Sequence, residues 1–160
     1  MDRKSKAWRN NAKINIGWRE WISFPNHDKF RLKAKIDSGA RTSALHATHL
    51  QEFEKDGLPW VRFRVYQSRE FMYVEKPILR YTTIKNSFGE SQMRPLVKMK
   101  IKLGNKSWKT DISLTQRSGM AHPMLIGRNT LKKKHIIHPK QSFVLTEKKI
   151  NNEYSNSVQK

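Results

Sequence analysis

Apolar and polar residues alternate along much of the chain, with the period of two that is typical of β-strands. The stretch RLKAKI (31–36) places its leucine, alanine and isoleucine on one face and its basic residues on the other. WVRFRVY (60–66) repeats the pattern, with valines and a phenylalanine against arginines. Such alternation indicates strands that bury one face. The same pattern, or a short apolar run, predicts further strands at 18–24, 71–75, 78–84, 95–103, 107–115, 124–126 and 142–145.

Turn-forming residues separate these segments. Asp56-Gly57 and Gly104-Asn105 are dipeptides typical of tight turns between antiparallel strands. The segment 44–53 alternates more weakly and fits either a strand or a short helix, whereas 129–134 predicts the one helix, a short one. Many short strands with a turn signal about every ten residues predict an all-β barrel or sandwich.

Length and charge limit the organisation. A chain of 160 residues fits one domain with tails better than two domains. Lys and Arg number 33 against 13 Asp and Glu, so the net charge is +20. A field of that sign attracts phosphate, acidic polypeptide or anionic lipid. Cysteine is absent, which excludes disulfides and thiolate metal sites and is compatible with a reducing compartment.

The two ends differ in composition from the middle. Residues 1–13 are basic and polar, and residues 147–160 are polar, so both are predicted to be flexible around a domain spanning 14–146. The N-terminus lacks the apolar segment of a secretory signal. No apolar run approaches the length that spans a bilayer. These features predict a cytoplasmic protein without a membrane partner.

An acid ends one of the predicted strands in an unusual context. Asp37 follows the apolar-alternating strand and is followed by Ser38, Gly39 and Ala40. Gly39 permits a sharp bend or a close approach of the backbone, and the serine hydroxyl can bond nearby backbone groups. Far along the chain, LIGRN (125–129) leads from an apolar run into the predicted short helix.

KIDSGA (35–40) and LIGRN together resemble the two halves of the retropepsin-type aspartic protease motif. The resemblance is closer to a bacterial branch whose members are labelled ATP-dependent zinc proteases and are often encoded near a glutamate ligase that modifies a ribosomal protein. IGWREWISFP (16–25), KAKIDSGARTSALHA (33–47), GESQMRP (89–95) and the stretch 110–131 carry it. It implies an all-β, retropepsin-like closed barrel with one short helix.

The resemblance also implies an activity and a partner. An aspartic protease needs two carboxylates that share a proton and face one water. The chain has a single Asp-Ser-Gly, so a homodimer with Asp37 from each copy is expected. By the same resemblance Ser38 would hold the carboxylates, Ala40 would lie beneath the substrate, and Gly127, ahead of Arg128 and Asn129, would pack behind the Asp37 turn. A flap would be formed by the hairpin 81–94.

The chain departs from viral retropepsins after the alanine, where they carry an acid that pairs with the arginine of the second motif. Here both Arg41 and Arg128 are cations, so Arg128 needs another partner and Arg41 would lie near the substrate groove. Arg94 and Arg117 are further groove candidates. A cleft with these cations predicts an acidic polypeptide substrate, such as a glutamate-rich tail of a ribosomal protein.

Two other interpretations remain open. The chain could be a basic β-barrel module that binds RNA or a ribosomal protein without catalysis, or an inactive peptidase kept for partner binding. Metal sites are weakly indicated: the pairs His46/His49 and His135/His138 fit surface or packing histidines better than zinc ligands. Neither an H-E-x-x-H helix nor a phosphate-binding loop is present, so no metal and no cofactor are predicted despite the family label.

Overall fold

The computed structural model describes residues 13–116, 121–131 and 134–146, and within them the ordered elements are strands. This confirms the all-β class. The tails of the predicted domain division lie almost entirely outside the described residues, so that division stays a prediction. The strands are β1 (Ile14–Gly17), β2 (Arg19–Phe24), β3 (Phe30–Ile36), β4 (Ser43–His46), β5 (Thr48–Lys55), β6 (Leu58–Gln67), β7 (Glu70–Pro77), β8 (Arg80–Lys85), β9 (Ser91–Leu103), β10 (Lys106–Thr115), β11 (Met124–Ile126) and β12 (His135–His138).

Seven strands form one sheet in the order β10-β4-β11-β3-β2-β9-β8, and β10 also pairs with β9. The extra pairing closes the first six strands of this order into a ring. β8 lies outside the ring and pairs with β9. β11 is the key element for the site, because it lies parallel to β3 and antiparallel to β4, with Ile126 beside Ile36. The ends of β3 and β11 therefore leave the ring side by side.

The core fills this ring, as the alternation predicted. Leu32, Ala34 and Ile36 of β3 are buried, while the lysines between them point outward. β9 contributes Val97, Met99, Ile101 and Leu103 to the core at every second position, and β10 contributes Ile112 and Leu114. Burying such side chains contributes about 1.5–3 kcal/mol each, so the pattern that defines the strands also holds the ring together.

A second sheet of three antiparallel strands, β5-β6-β7, stands beside the ring. Val61, Phe63 and Val65 of β6 are fully buried and join the same hydrophobic core. The backbone N–H of Lys33 donates to Gln67 Oε1 at 2.9 Å, which links β3 to the end of β6. The weakly alternating segment 44–53 is thus strand, in β4 and β5, and not helix.

Two predicted elements were wrong. The described part of 129–134 is a turn and not a helix. The helix-type hydrogen bond from Leu131 N to Gly127 O is long, at 3.4 Å, and the Asn129 side chain bonds residues of the distant strands β4 and β10. The segment 142–145 is a bend and turn instead of a strand, since Leu145 N donates to a carboxylate and not to a neighbouring strand. The strand β12, parallel to β1, was not predicted.

That carboxylate belongs to Glu20, which is fully buried. Its Oε1 accepts hydrogen bonds from Gly17 N (2.9 Å) and Leu145 N (2.8 Å), and its Oε2 accepts from the backbone and hydroxyl of Thr146. One acid on β2 therefore fastens the end of the described chain to β1 and β2. None of the described residues belongs to a helix of the length and apolar character that crossing a bilayer requires.

Candidate active site

The Asp37 carboxylate lies at the point where β3 leaves the ring. Asp37 N donates to Ile126 O (2.8 Å), which ties it to the end of β11, and its carbonyl accepts from Ala40 N (3.2 Å), which closes a turn. Within that turn Gly39 N donates to Asp37 Oδ1 at 3.1 Å. The side chain is half-buried, while Ser38 and Gly39 are exposed. The carboxylate is thus oriented by its own turn and open to solvent on one side.

The second motif packs directly against this turn. Arg128 N donates to Ala40 O (2.9 Å) and Asn129 N donates to Arg41 O (3.0 Å). The Arg128 guanidinium donates from Nη1 to the Ser38 carbonyl at 2.9 Å. A backbone carbonyl of the Asp37 turn is therefore the partner of Arg128. Position 41 cannot supply a carboxylate for this purpose, because it is an arginine. The sequence could not identify this acceptor, because every residue carries a backbone carbonyl and none is distinguished by its side chain.

Gly127 lies against the backbone of Ala40 and Thr42, at the end of the Asp37 turn. A Cβ at this position would lie 2.6 Å from the carbonyl carbon of Thr42 and 2.8 Å from its oxygen. Both are backbone atoms, so no side-chain rotation can relieve the contact. A glycine is required here because the two turns are packed backbone against backbone.

We expect Gly127→Ala to lower the free energy of unfolding by about 3 kcal/mol, the upper end of typical over-packing costs. Gly39→Ala is the matched control, because a Cβ there would meet only the side-chain Oδ1 of Asp37, at 3.3 Å. Urea denaturation of both variants measures the difference. Equal stability of the two would contradict the backbone contact at Gly127.

A network of hydrogen-bonded polar groups joins the two turns to β4 and β10, with Ser43, Thr110 and Thr130 buried and Asn129 exposed. Asn129 Oδ1 accepts from Ser43 N (2.9 Å) and from Ser43 Oγ (3.1 Å), and its Nδ2 donates to Asp111 O (2.8 Å). The Ser43 hydroxyl also accepts from Gly127 N (2.9 Å) and bonds the Thr130 hydroxyl, which in turn bonds Thr110 Oγ1. Such satisfied networks fix a single arrangement of the segments they join.

Ser43, Thr110 and Thr130 were missed by the sequence reasoning. Strand parity could have found Thr110, because it falls in register with Ile112 and Leu114 and so places a hydroxyl on an apolar face. Ser43 stands likewise in register with Leu45 of β4. No comparable signal exists for Thr130, which lies in a turn.

The structure describes two of the three candidate groove residues. Arg41 is exposed and directly follows the Asp37 turn. Arg94 lies on β9 opposite Thr82, where its Nε and Nη2 donate to Gln92 Oε1 at 3.3 Å. Arg117 lies outside the described residues. The structure therefore brings together the residues from Asp37 to Arg41 with those from Gly127 to Asn129, and places Arg94 on a separate hairpin.

That hairpin is formed by β8 and β9 and coincides with the predicted flap. Its tip is closed by Asn86, whose Oδ1 accepts from Phe88 N and Glu90 N at 3.0 Å each. Gly89 has a φ of 80°, a conformation that favours glycine. Phe88 at the tip is 88% exposed, and Met93 is 65% exposed. The hairpin therefore presents apolar side chains to solvent, and its role as a flap stays a prediction.

Positive charges lie along the strand that leads to Asp37, on Lys33 and Lys35 of β3 and on Arg19, which pairs with Lys35 from β2. His122 lies just before β11, with its ring edge-on to Trp18. Burial lowers the pKa of the His122 imidazole, and the positive charges of Arg19, Lys35 and Lys33 lower this pKa further. In the part of the chain that the structure describes, no three potential metal-ligating side chains lie together.

A comparison with family models matches residues 15–148 to the retropepsin-like aspartic endopeptidase RimB. Among curated proteins, the chain is 38% identical over 140 residues to a probable alpha-L-glutamate ligase of Shewanella pealeana and 37% identical to one of Desulfotalea psychrophila. These matches cover 85% of this chain but 31% and 30% of the relatives. The chain thus spans under a third of the curated relatives it matches.

Among solved structures, a protein of unknown function from Legionella pneumophila is similar, with a TM-score of 0.71 and 27% sequence identity. The match covers 84% of this chain and all of the Legionella chain. The overall fold therefore recurs in a separate protein, the whole of which is covered by the matched part of this chain.

Proposed function

Because the chain belongs to the RimB-like family of retropepsin-like aspartic endopeptidases, we propose that it hydrolyses peptide bonds as a homodimer, with one Asp37 from each copy. The observation that carries this proposal is the Asp37 turn. Its carboxylate accepts a hydrogen bond from Gly39 N, and the Gly127–Asn129 segment packs against the backbone of the turn. Asp37→Asn, assayed alone and mixed with the unaltered protein, tests it.

The proposed chemistry needs two carboxylates within reach of one water. The two would share one proton, since adjacent like charges cannot both ionise at low cost. The ionised carboxylate takes a proton from the water, which attacks the peptide carbonyl carbon. The protonated carboxyl donates to the carbonyl oxygen, giving a tetrahedral diol that collapses when the leaving nitrogen is protonated. The pair would titrate as one coupled unit.

A second copy is the proposed source of the second acid. Asp111 is unsuited, because it lies within β10 and pairs with Lys98 at 3.5 Å. Glu20 is fully buried and committed to four hydrogen bonds. A two-fold axis close to the exposed side of the Asp37 turn would place the two carboxylates face to face.

We propose an acidic, glutamate-rich polypeptide as substrate. The net charge of +20 and the exposed Arg41 beside the turn favour carboxylate groups. The relatives support the same choice. Proteins named as probable alpha-L-glutamate ligases contain a segment similar to this chain, and that segment makes up under a third of their length. A peptidase segment within a ligase would meet the glutamyl product. The tail of a ribosomal protein, implied by the earlier resemblance, is one such polypeptide.

We expect Arg41→Gln to raise the KM for an oligoglutamate peptide by about ten-fold, the worth of one charge-assisted hydrogen bond. The KM for a neutral peptide should not change. Arg69→Gln is the matched control, since it removes the same charge from an exposed turn between β6 and β7. Steady-state kinetics at two salt concentrations measure the effect. Equal KM changes for acidic and neutral peptides would remove the acidic-substrate proposal.

A further inference from the structure

The three-stranded sheet has one face that the core does not use. We call it the outer face, and it consists of Trp60, Arg62, Arg64 and Tyr66 of β6 together with the residues paired to them on β5 and β7. The residues between them on β6 are fully buried, but none of these four is. On the edge strand, Phe71 is 46% exposed and Tyr73 is 50% exposed. The outer face therefore presents several aromatic rings to solvent.

Register arranges these rings in rows across the strands. Phe53 stands opposite Trp60, with ring centroids 6.3 Å apart, and Phe71 stands opposite Tyr66 at 5.1 Å. Tyr73 is paired with Arg64 between those rows. From Trp60 to Tyr66 the central strand extends about 20 Å at its usual rise. Such a length accommodates about two or three bases stacked on an antiparallel sheet.

Cations are interleaved with the rings. The Arg62 guanidinium lies 4.3 Å from the centroid of the Phe53 ring, and that of Arg64 lies 4.8 Å from the Phe71 ring. Lys55 Nζ lies 4.5 Å from the Trp60 ring. A guanidinium plane held over a ring offers a second stacking surface and also a positive charge for phosphate.

The outer face carries one carboxylate against these three cations. Glu75 accepts from the Tyr73 hydroxyl at 2.6 Å and lies 3.9 Å from Arg62 Nε. Glu52, which alternates to the other side of β5, accepts from the hydroxyl of Tyr81. The outer face is thus positive, in keeping with the whole protein.

We propose that the outer face binds single-stranded RNA, with bases stacked on its aromatic rings and phosphates paired with Arg62, Arg64 and Lys55. Aromatic rings interleaved with cations on a sheet match the stacking and charge that single strands need. Interfaces between folded proteins are also rich in aromatic residues and arginine, but they are depleted of lysine and of charge at their centre. The excess of three cations over one carboxylate on the outer face is therefore the feature that favours a polyanion. Gln51 and the tyrosine hydroxyls could bond the 2′-hydroxyl, which favours RNA over DNA.

This function is separate from hydrolysis at Asp37. The residues of the outer face belong to β5, β6 and β7, whereas the Asp37 turn is built from the ends of β3 and β11. The outer face would hold the protein on RNA while the Asp37 turn acts on a polypeptide. The two functions can therefore be lost independently.

The test uses the full chain and a fluorescently labelled oligouridine of about ten nucleotides, a length within the site size of a single-strand binding domain. We expect Phe71→Ala to weaken binding about ten-fold in fluorescence anisotropy, the worth of one stacked base. The affinity should fall less steeply with salt in Arg64→Gln, with a slope of log affinity against log salt that is less negative by about 0.7. Cleavage of a short peptide should remain unchanged in both variants.

Matched controls separate this face from general charge attraction. Phe88→Ala removes an exposed ring from the β8–β9 hairpin, and Arg69→Gln removes an exposed cation from a turn. Both should leave the RNA affinity within about two-fold, as expected for surface changes outside a contact. An equal loss in Phe88→Ala and Phe71→Ala would overturn the proposal.

Three further results would also overturn it. Binding of oligodeoxyuridine as tight as that of oligouridine would overturn the assignment to RNA. Displacement of the RNA by oligoglutamate from the unaltered protein but not from Arg64→Gln would make the outer face an acidic-peptide site. A shift from dimer to monomer in Phe71→Ala, with RNA affinity unchanged, would make it an interface between copies. Asp37→Asn should retain full RNA affinity, so failure of the peptidase proposal is distinguishable.

Discussion

Asp37→Asn is expected to lower the rate of peptide hydrolysis by a factor of about 10²–10⁴, the contribution of a general acid–base group. The amide is similar in size, and its oxygen can still accept from Gly39 N, so the turn should persist. It cannot take a proton from water or pass one to the substrate. Circular dichroism and sedimentation should show an unchanged fold and oligomeric state. Full activity would overturn the assignment of Asp37.

Mixing the two forms tests whether the acids come from different copies. If each active dimer needs two Asp37 side chains, a mixed dimer is inactive. At a fixed total protein concentration, the activity of mixtures of unaltered and Asp37→Asn protein should then fall with the square of the unaltered fraction. A linear decline with that fraction would mean that each copy acts alone, and the dimer proposal would be lost.

Asp111→Asn is the control for the second carboxylate. It removes a charge from β10, where the carboxylate pairs with Lys98, and leaves the backbone carbonyl that binds Asn129 in place. We expect the peptidase activity to be unchanged. Loss of activity comparable to that of Asp37→Asn would make Asp111 the partner acid, within one chain.

Glu20→Ala is expected to lower the free energy of unfolding by about 4 kcal/mol. Three backbone N–H groups would lose a buried acceptor, at a cost of about 1–3 kcal/mol each, reduced where water enters the space. Those groups belong to Gly17, Leu145 and Thr146, so the end of the described chain should separate first. Urea denaturation measures the total, and amide hydrogen exchange identifies the residues.

Graded controls identify the carboxylate as the cause. Thr146→Val removes only a hydroxyl, which bonds Glu20 and accepts from Trp21 N, so it should cost about 1 kcal/mol. Glu54→Ala removes an exposed glutamate from β5 and should change the stability by no more than about 0.5 kcal/mol. If Glu20→Ala changed the free energy of unfolding no more than Glu54→Ala, the hydrogen bonds of Glu20 would not contribute to stability.

Much of the fold could be predicted from the sequence. Alternation identified most of the strands, because burial on one face of a sheet imposes a period of two on the residues themselves. The turns at Asp56-Gly57 and Gly104-Asn105 were also correct, with φ values of 54° and 75° in the first and 63° at Gly104. The motifs containing Asp37 and Gly127 were paired by resemblance, and the structure places them in contact.

The failures share one cause. The predicted helix at 129–134 and strand at 142–145 were judged from local composition, but their polar groups are bound by residues far along the chain. Asn129 bonds Ser43 and the carbonyl of Asp111, and Leu145 bonds Glu20. Long-range partners of this kind have no periodic signal, because a single distant acceptor can replace a local hydrogen bond.

By itself the sequence determined the all-β class, most strands and the acid that ends β3, since these depend on which residues alternate and which follow one another. Only the tertiary structure decided where Arg128 finds its acceptor, why Gly127 admits no side chain and which aromatic rings share a face with arginines. Those features depend on which strands lie side by side. Strand pairing is set by the packing of the whole domain, which no short segment encodes.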